Sequence, residues 1–151
     1  MTFRMDVIDL IPNAMSFRVI TTIDIVDEAN IPAEFEGRVR LWDAADHLVY
    51  VSWYVAGKLH NPGKYHPAYR RFRTNGRVKF EMYYQNGELH DPGKGIAAVR
   101  GFYADGATHY EERYQSGRRC DGPSGEPAIA KWRNDGTLRH TLSYHCGERV
   151  R

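Results

Sequence analysis

The chain has 151 residues, of which 42% are hydrophobic and 26% are charged, and this size and composition suit one domain with a real core. Its 21 Lys and Arg exceed its 19 Asp and Glu by two, a balance too mild to indicate nucleic acid as a partner. No stretch approaches the roughly 20 apolar residues of a membrane-spanning helix, and the N-terminus lacks the apolar core and cleavage site of a signal peptide.

The two cysteines, Cys120 and Cys146, are too few for the disulfide framework of a small secreted domain. They predict reduced thiols. Together with the lack of a targeting pattern, they favour a cytoplasmic protein.

Residues 1–36 do not share the pattern of the rest of the chain. Phe17, Val19, Thr21, Ile23 and Ile25 alternate with polar residues and predict a half-buried strand. The Asn-Ile-Pro sequence at 30–32 predicts a loop after it, because proline lacks the N–H that a strand ladder needs. We interpret this segment as an N-terminal β cap.

From about residue 37 the chain repeats itself at a constant interval. Three kinds of landmark keep that spacing independently, namely a turn glycine, an aromatic residue and a tyrosine. They are Gly57, Gly87, Gly117 and Gly147; Trp42, Phe72, Phe102 and Trp132; and Tyr54, Tyr84, Tyr114 and Tyr144. A period of about 30 residues is typical of repeat proteins, in which each unit buries its apolar face against its neighbours.

Two hairpin turns are predicted in each unit, because Asn-Gly and Asp-Gly pairs tolerate the positive φ angles of a type I′ turn. In the second unit they are Asn75-Gly76 and Asn86-Gly87. Apolar and polar residues alternate between these turns, as they do in a half-buried strand. Each unit therefore supplies two antiparallel strands to a meander, the second interrupted by a Pro- and Gly-containing loop. No segment has a helical apolar period, and the chain is predicted to be all-β.

The repeat also predicts which side chains share a face of the sheet. The predicted core face carries the columns Leu48, Val78, Thr108 and Leu138; Tyr50, Phe80, Tyr110 and His140; and the four tyrosines, with the Trp42 column adding aromatic area. The opposite face is predicted to be polar and open to water or a partner. It carries His47, Trp53, Arg77, Lys79, Glu81, Tyr83, His109, Glu111, Arg113 and Arg139.

The unit best represented by residues 83–93 joins an aromatic pair, a glycine, a hydrophobic residue and a His-Asp-Pro-Gly loop, followed by Ala97-Ala98. This pattern resembles the variant MORN (membrane occupation and recognition nexus) repeats of bacterial and bacteriophage proteins, over about residues 37–151. The resemblance implies a twisted, single-layer antiparallel β-meander of about 3.5 repeats whose usual work is binding. Some relatives resemble antitoxins of toxin–antitoxin pairs, and no catalytic residue carries over.

Candidate chemical sites are weak in this sequence. His60 and His90 occupy equivalent positions, two strands or about 10 Å apart, which is too far to share a metal ion. We therefore predict that each ring packs on the neighbouring loop and hydrogen-bonds to it. The glycine-rich loops at 93–95 and 122–125 lack the strand-to-helix context of a phosphate site. Glu111 and Glu112 are adjacent on a strand and point to opposite faces, so they form no catalytic dyad. Neither an enzyme, a cofactor nor a metal is predicted.

The leading interpretation is a non-enzymatic protein-protein interaction module, in the more specific form an antitoxin or a phage-encoded inhibitor. Trp53, Arg77, Tyr83 and Arg113 are the predicted partner-binding residues, because aromatic residues and arginine are enriched in binding hot spots. Three alternatives stay open. They are nucleic-acid or anionic-lipid binding through Arg70, Arg71, Arg73, Arg77 and Lys79 around Tyr69 and Phe72; ligand binding or catalysis in a trough between the Pro-Gly loops and the sheet; and a homodimer.

Overall fold

The structure, a computed structural model, describes residues 33–150 and the backbone of two further segments, 4–10 and 17–22. Sixteen β-strands lie in these residues, and no helix does. The strands are β1 Arg4–Leu10, β2 Phe17–Thr22, β3 Gly37–Trp42, β4 Leu48–Val55, β5 Lys58–Leu59, β6 Tyr69–Phe72, β7 Val78–Met82, β8 Tyr84–Gln85, β9 Glu88–Leu89, β10 Val99–Phe102, β11 Thr108–Glu112, β12 Tyr114–Gln115, β13 Arg118–Arg119, β14 Ile129–Trp132, β15 Leu138–His145 and β16 Glu148–Val150.

One large antiparallel sheet organises the molecule. Its strand order is β16-β15-β14-β11-β10-β7-β6-β4-β3-β1-β2, with β5 paired to β4 beside this path. From β3 to β16, neighbours in the sheet are neighbours along the chain, apart from the short hairpins between them. The predictions of an all-β fold and an antiparallel meander are therefore confirmed.

The two N-terminal strands extend this sheet beyond β3. The predicted strand around Phe17 is present as β2, and Ile23, Ile25 and the predicted loop at 30–32 lie outside the described residues. The sequence pattern missed β1, which pairs with both β2 and β3 and so lies between them. The order in the sheet here departs from the order in the chain.

The two kinds of turn have different geometries. At Asn86-Gly87 both residues have positive φ, +51° and +82°, as a type I′ turn requires. At the Asn75-Gly76 turn only Gly76 is in that region, with φ of +83°, so the type I′ prediction is wrong there. The Asn75 Oδ1 atom instead accepts the N–H of Arg77 at 3.0 Å, which builds a wider turn closed by a side chain.

Short hairpins form a second row beside the large sheet. They are β8–β9, β12–β13 and the ends of β4–β5 and β15–β16. Three of the turn glycines donate their N–H to the preceding hairpin, Gly87 to the Leu59 carbonyl oxygen and Gly117 to that of Leu89, at 2.9 Å each, and Gly147 to that of Arg119 at 2.7 Å. The hairpins thereby tie one unit to the next.

One side-chain oxygen per unit joins three segments of chain. The Oδ1 atom of Asp91 accepts the N–H of Ala98 at 2.8 Å and the N–H of Tyr114 at 3.0 Å. Asn61 makes the same two bonds to Ala68 and Tyr84, and Asp121 makes them to Ala128 and Tyr144. Because these N–H groups belong to separate strands, the oxygen sets their distance and register.

The aromatic face of the sheet, which carries Tyr50, Tyr69 and Phe80, holds most of the apolar packing. The rings of Tyr50 and Tyr69 stack with centroids 5.4 Å apart, and those of Tyr69 and Phe80 are 5.7 Å apart. Val39 and Tyr54 are buried at one end of this face, with Phe35, Leu41, Tyr50 and Leu59 packed around them. The prediction that the Tyr50 and Tyr54 columns are core columns is confirmed at this end.

A β-bulge in each of the four long hairpins overturns two predicted columns. Phe72 pairs with Val78, whereas Arg71 pairs with Phe80, so the register shifts by one residue between Arg71 and Phe72. Leu138 and Thr108 consequently line clefts together with Trp132 and Glu111, on the face opposite the stacked tyrosines. The assignment of the Leu48 and Trp42 columns to the core face is therefore wrong, because the extra residue reverses the alternation.

Cys120 and Cys146 form a disulfide with their Cα atoms 4.1 Å apart, so the prediction of reduced thiols is wrong. The pair lies where earlier units make a hydrogen bond between residues equally far apart in the chain. His60 Nδ1 accepts the N–H of Asn86 at 3.2 Å, and His90 Nδ1 accepts the N–H of Ser116 at 3.0 Å. These bonds confirm the predicted role of the two histidines, and the disulfide makes the equivalent connection covalent.

The side chain of Asp91 affects stability in two ways, as the acceptor of two backbone N–H bonds and as a buried carboxyl group that can ionise. Burial raises the pKa of this carboxyl above its ordinary value of 3.8, against the lowering effect of the Tyr114 and Ala98 N–H groups and of Arg113. The folded state thus holds the proton more tightly than the unfolded chain. The stability from this effect is complete below pH 3.8 and is lost as pH rises through the folded-state pKa.

We therefore expect Asp91→Asn, which can keep both N–H bonds as Asn61 does, to gain stability relative to the native chain as pH rises from 3.5 to 7. Asp91→Ala should lose about 1–3 kcal/mol at pH 7, because two buried N–H groups lose their acceptor. Urea unfolding at both pH values measures this. A free-energy difference between Asp91→Asn and the native chain that does not change with pH would contradict the assignment.

Breaking the disulfide should cost about 2–4 kcal/mol, as expected for a loop of this length. We expect Cys120→Ser/Cys146→Ser to show this loss in urea unfolding. The variant Cys120→His/Cys146→Ser should recover about 0.5–1.5 kcal/mol of it, because His at 120 can accept the N–H of residue 146. Equal stability of the two double variants would show that the His bond and the disulfide are not equivalent.

Candidate functional site

The candidate site is the face opposite the stacked tyrosines, which we call the charged face. Its centre is Glu81, on β7 between β6 and β10, with only 4% of its side chain exposed. Arg70 on β6 and Arg100 on β10 stand directly opposite Glu81 in the strand register. A buried carboxylate is thus placed between two guanidinium groups by strand pairing alone.

Each oxygen of Glu81 serves one arginine. Oε2 accepts the Nε hydrogen of Arg70 at 3.0 Å and also lies 3.0 Å from its Nη2, and Oε1 accepts the Nε hydrogen of Arg100 at 3.0 Å as well as an Nη2 hydrogen. Both arginines remain partly exposed, at 39% and 31%. The ion pairs hold these two cations in place at the surface and satisfy the carboxylate that would otherwise be costly to bury.

The loops that contain the Pro-Gly pairs cover part of this face. The Tyr83 hydroxyl donates to the Tyr65 carbonyl oxygen at 3.4 Å, and Arg113 Nη1 donates to the Gly95 carbonyl oxygen at 2.9 Å. Arg113 is also 3.9 Å from Asp91 and 3.5 Å from Glu111. Burial raises the pKa of the Tyr83 hydroxyl, and the charge of Glu81 adds to that rise.

An apolar row, which we call the aromatic stripe, runs along the opposite margin of the charged face. Its members are paired across the four bulged hairpins. They are Trp42 with Leu48, Phe72 with Val78, Phe102 with Thr108, and Trp132 with Leu138. The guanidinium of Arg100 lies 5.8 Å from the centroid of the Phe102 ring, which places this ring beside the Glu81 ion pairs. The stripe is partly exposed, and Leu138 is 56% exposed.

Two equivalent clefts open between the stripe and the loops. The first, of about 350 Å³, is lined by Trp53, Arg70, Phe72 and two prolines of the loop above it. The second lies two units further along the chain, has about 250 Å³, and is lined by Arg113, Ala130, Trp132, Leu138 and others. Ala130 takes the place of Arg70 there, so the second cleft has a more apolar wall.

The four predicted partner-binding residues fall in different environments. Trp53 is half-buried and lines the first cleft, and Arg77 is exposed, with Nη1 donating to the Asp105 carbonyl oxygen. Tyr83 is 2% exposed and Arg113 is 6% exposed, so the expectation that these two side chains are open to a partner is wrong. Alternation placed them on the correct face, but it gave no sign that the loops fold over that face.

The structure also locates the residues behind the alternative interpretations. Arg70 is bound to Glu81, and Arg73 Nη2 donates to the Phe102 carbonyl oxygen at 3.0 Å. Arg71 pairs with Phe80 and so belongs to the aromatic face. The basic residues therefore do not form one continuous stripe.

A trough of about 460 Å³ lies between successive Pro-Gly loops. It is lined by His60, Lys64, Tyr84, His90, Asp91 and others.

Other chemical features of the described residues are few. No group of three or more His, Cys, Asp or Glu in residues 33–150 is arranged to hold a metal ion. In the part of the chain that the structure describes, no helix has the length and apolar character to span a bilayer. The loop at 93–95 is a tight turn, in which Lys94 has φ of +55° and its Nζ lies 4.4 Å from the centroid of the Tyr65 ring.

Comparison with known proteins adds no relative. No family model matches the chain, and searches of curated proteins and of solved structures find no significant match. The geometry of the charged face and the sequence resemblance are therefore the grounds for a functional proposal.

The Glu81 ion pairs should be a main determinant of the shape of this face. We expect Glu81→Gln to lower the free energy of unfolding by about 1–3 kcal/mol, nearer the lower limit because both arginines are partly exposed to water. The loss follows because an amide cannot offer acceptors to both guanidinium groups. Urea unfolding measures it. Glu88→Gln, at an exposed position on β9, is the matched control and should change stability by less than about 0.5 kcal/mol.

Proposed function

We propose that this chain is a non-enzymatic protein-binding module whose partner docks on the charged face along the aromatic stripe. The observation that carries the proposal is the aromatic stripe itself, a partly exposed apolar row beside a row of clamped arginines. Aromatic residues and arginine dominate the energetics of known protein interfaces, especially where the apolar centre is surrounded by polar groups. The two rows have this arrangement.

The rigidity of the face supports the proposal. Arg70 and Arg100 are held by Glu81, and the loops are held by Tyr83 and Arg113. A partner that binds such a surface does not need to order these long side chains, each of which would otherwise cost about 0.5–1.5 kcal/mol. Buried Tyr83 and Arg113 thus act by supporting the surface, and Trp53 and the aromatic stripe are the residues that meet the partner.

The architecture that we propose is a repeat sheet of about 3.5 units over residues 37–151, with residues 1–36 as an N-terminal β cap. Each unit has a length of about 30 residues, which is within the range of known repeat families. The resemblance to variant MORN repeats makes an antitoxin or a phage-encoded inhibitor the more specific form of the function. In either case the module blocks another protein by covering its surface. A broad, ordered sheet suits this task because it presents many contacts without a cofactor.

The nucleic-acid and lipid alternatives are weaker for a physical reason. A strand of nucleic acid or an anionic lipid surface requires cations that are free to meet phosphates, and Arg70, Arg73 and Arg77 are engaged by protein oxygens. A small ligand would use the trough between the Pro-Gly loops. A homodimer would bury the aromatic stripe of one copy against that of another.

A single substitution tests the docking face. We expect Leu138→Glu to abolish at least about 90% of partner capture, because a desolvated carboxylate in the apolar centre costs at least about 2 kcal/mol of binding. Val55→Glu is the control, since Val55 is also an exposed large hydrophobic residue, at 39%, but lies outside the stripe. The measurement is quantitative capture by the immobilised chain from an extract of the cells that produce it.

Three outcomes would oppose this proposal. Equal capture by both variants would remove the stripe as the docking face. Loss of captured material after nuclease treatment would favour nucleic acid. A dimer in sedimentation equilibrium that Leu138→Glu converts to a monomer would favour self-association.

A further inference from the structure

The strand β15 has an edge that its counterparts in the sheet do not leave open. In three units, a residue at the same position donates its N–H across to the following strand. Trp53 donates to Ala68, Tyr83 to Ala98 and Arg113 to Ala128, each to the carbonyl oxygen at 2.7 Å. The equivalent residue in the last unit is Ser143. Within the described part of the chain, no strand pairs with β15 on that side along Leu138–Leu142, because β16 pairs only with Ser143–His145.

Strand geometry identifies the backbone groups on this edge. Hydrogen-bonded pairs alternate along an antiparallel ladder, so the bond from Arg113 to Ala128 places Glu111 and Ala130 in the next hydrogen-bonded pair. Thr141 occupies the position of Glu111 in the last unit. The N–H and C=O of Thr141 therefore point away from β14, towards the unpaired side of the sheet, whereas Ser143 on the same side is paired with Val150 of β16.

We propose that this edge of β15 binds an extended segment of the partner protein as an added antiparallel strand. The proposal deepens the proposed function and rests on it, since it names how the partner engages the module. Main-chain hydrogen bonds would supply the attachment, as in other cases of strand addition, and the side chains of the segment would supply the specificity.

The sheet itself defines the register and pattern of the segment. The counterparts of β15 in earlier units are paired on their outer side. There an apolar residue stands opposite the position equivalent to Leu142, as Tyr69 does opposite Ser52 of β4 and Val99 does opposite Met82 of β7. Two positions further along the segment is the residue opposite His140. The next residue is aromatic in each internal copy, namely Phe72, Phe102 and Trp132. An aromatic residue there would lengthen the aromatic stripe beyond the exposed Leu138.

The charges of nearby side chains determine which residue of the bound segment is favoured opposite His140. Lys131 on β14 is exposed, and it stands opposite Tyr110 of β11 on one side and opposite His140 of β15 on the other. Arg133, Arg139 and His140 are exposed as well, which makes this end of the sheet basic. An acidic residue opposite His140 would therefore be favoured, because opposite charges at facing positions stabilise a strand pair and like charges destabilise it. The expected pattern is apolar, small or polar, acidic, aromatic.

The same charges disfavour a second copy of this chain as the occupant. Antiparallel pairing of β15 with itself would bring Arg139 and His140 close to the same residues of the other copy. Such like-charge pairs oppose the association. A segment with an acidic third position is the better complement.

A defined peptide tests this inference. The probe is a synthetic peptide with the sequence of residues 127–133 and the change Lys131→Glu, titrated into the full chain. We expect hydrogen exchange at the Thr141 amide to slow by about ten-fold or more at saturation, because it becomes hydrogen-bonded. The peptide with the native Lys131 should bind about two- to five-fold more weakly, as one unfavourable charge pair predicts.

The control is the same peptide with an N-methyl group on the amide nitrogen of its Ala130, which removes a strand hydrogen bond and leaves the protein unchanged. We expect no protection of Thr141 from this peptide. Absence of protection with the unmodified probe, protection only at other amides, or equal binding of the N-methylated form would each overturn the inference. Protection of Thr141 in a concentration-dependent dimer without peptide would assign the edge to a second copy.

The two proposals fail in different ways. If the peptide does not protect the edge but Leu138→Glu still abolishes partner capture, the docking face stands and the added strand is wrong. If the peptide binds at the edge and Leu138→Glu does not affect capture, the edge stands and the stripe is wrong.

Discussion

The structure depends on one repeated interaction, a side-chain oxygen that accepts two backbone N–H groups from separate strands. Asn61, Asp91 and Asp121 each make it, and each thereby fixes a loop, a strand of the large sheet and a short hairpin relative to one another. Without such a bridge the loops would leave buried N–H groups unpaired. The loops are held over the charged face for this reason, and the clefts owe their shape to them.

A second constraint acts in the centre of the charged face. Burying Glu81 is possible only because two arginines reach it from both neighbouring strands, so strand pairing and charge pairing reinforce each other. The same ion pairs keep Arg70 and Arg100 from moving freely. The surface is thus rigid where a partner would meet it. The charged groups of Glu81, Arg70 and Arg100 are satisfied by one another.

Several features were predictable from local rules. The constant repeat interval, the type I′ geometry at Asn86-Gly87 and the alternation that puts Tyr50 and Phe80 on one face all follow from turn chemistry and strand pleat. Most of the errors have one of two causes, an interaction between residues distant in sequence or an extra residue in a strand. The bulge moved Leu138 to the charged face, and the loops buried Tyr83 and Arg113.

The sequence by itself determined the all-β class, the order of the strands in the meander and the positions of the turns, because these depend on periodicity and on residues a few places apart. Only the tertiary structure decided that Cys120 meets Cys146, that β1 lies between β2 and β3, and which side chains stay exposed. These features depend on how separate units stack, and the two cysteines come into contact only once the hairpins lie side by side. The edge of β15 that no described strand covers along Leu138–Leu142 belongs to the same group, since an edge is a property of the assembled sheet.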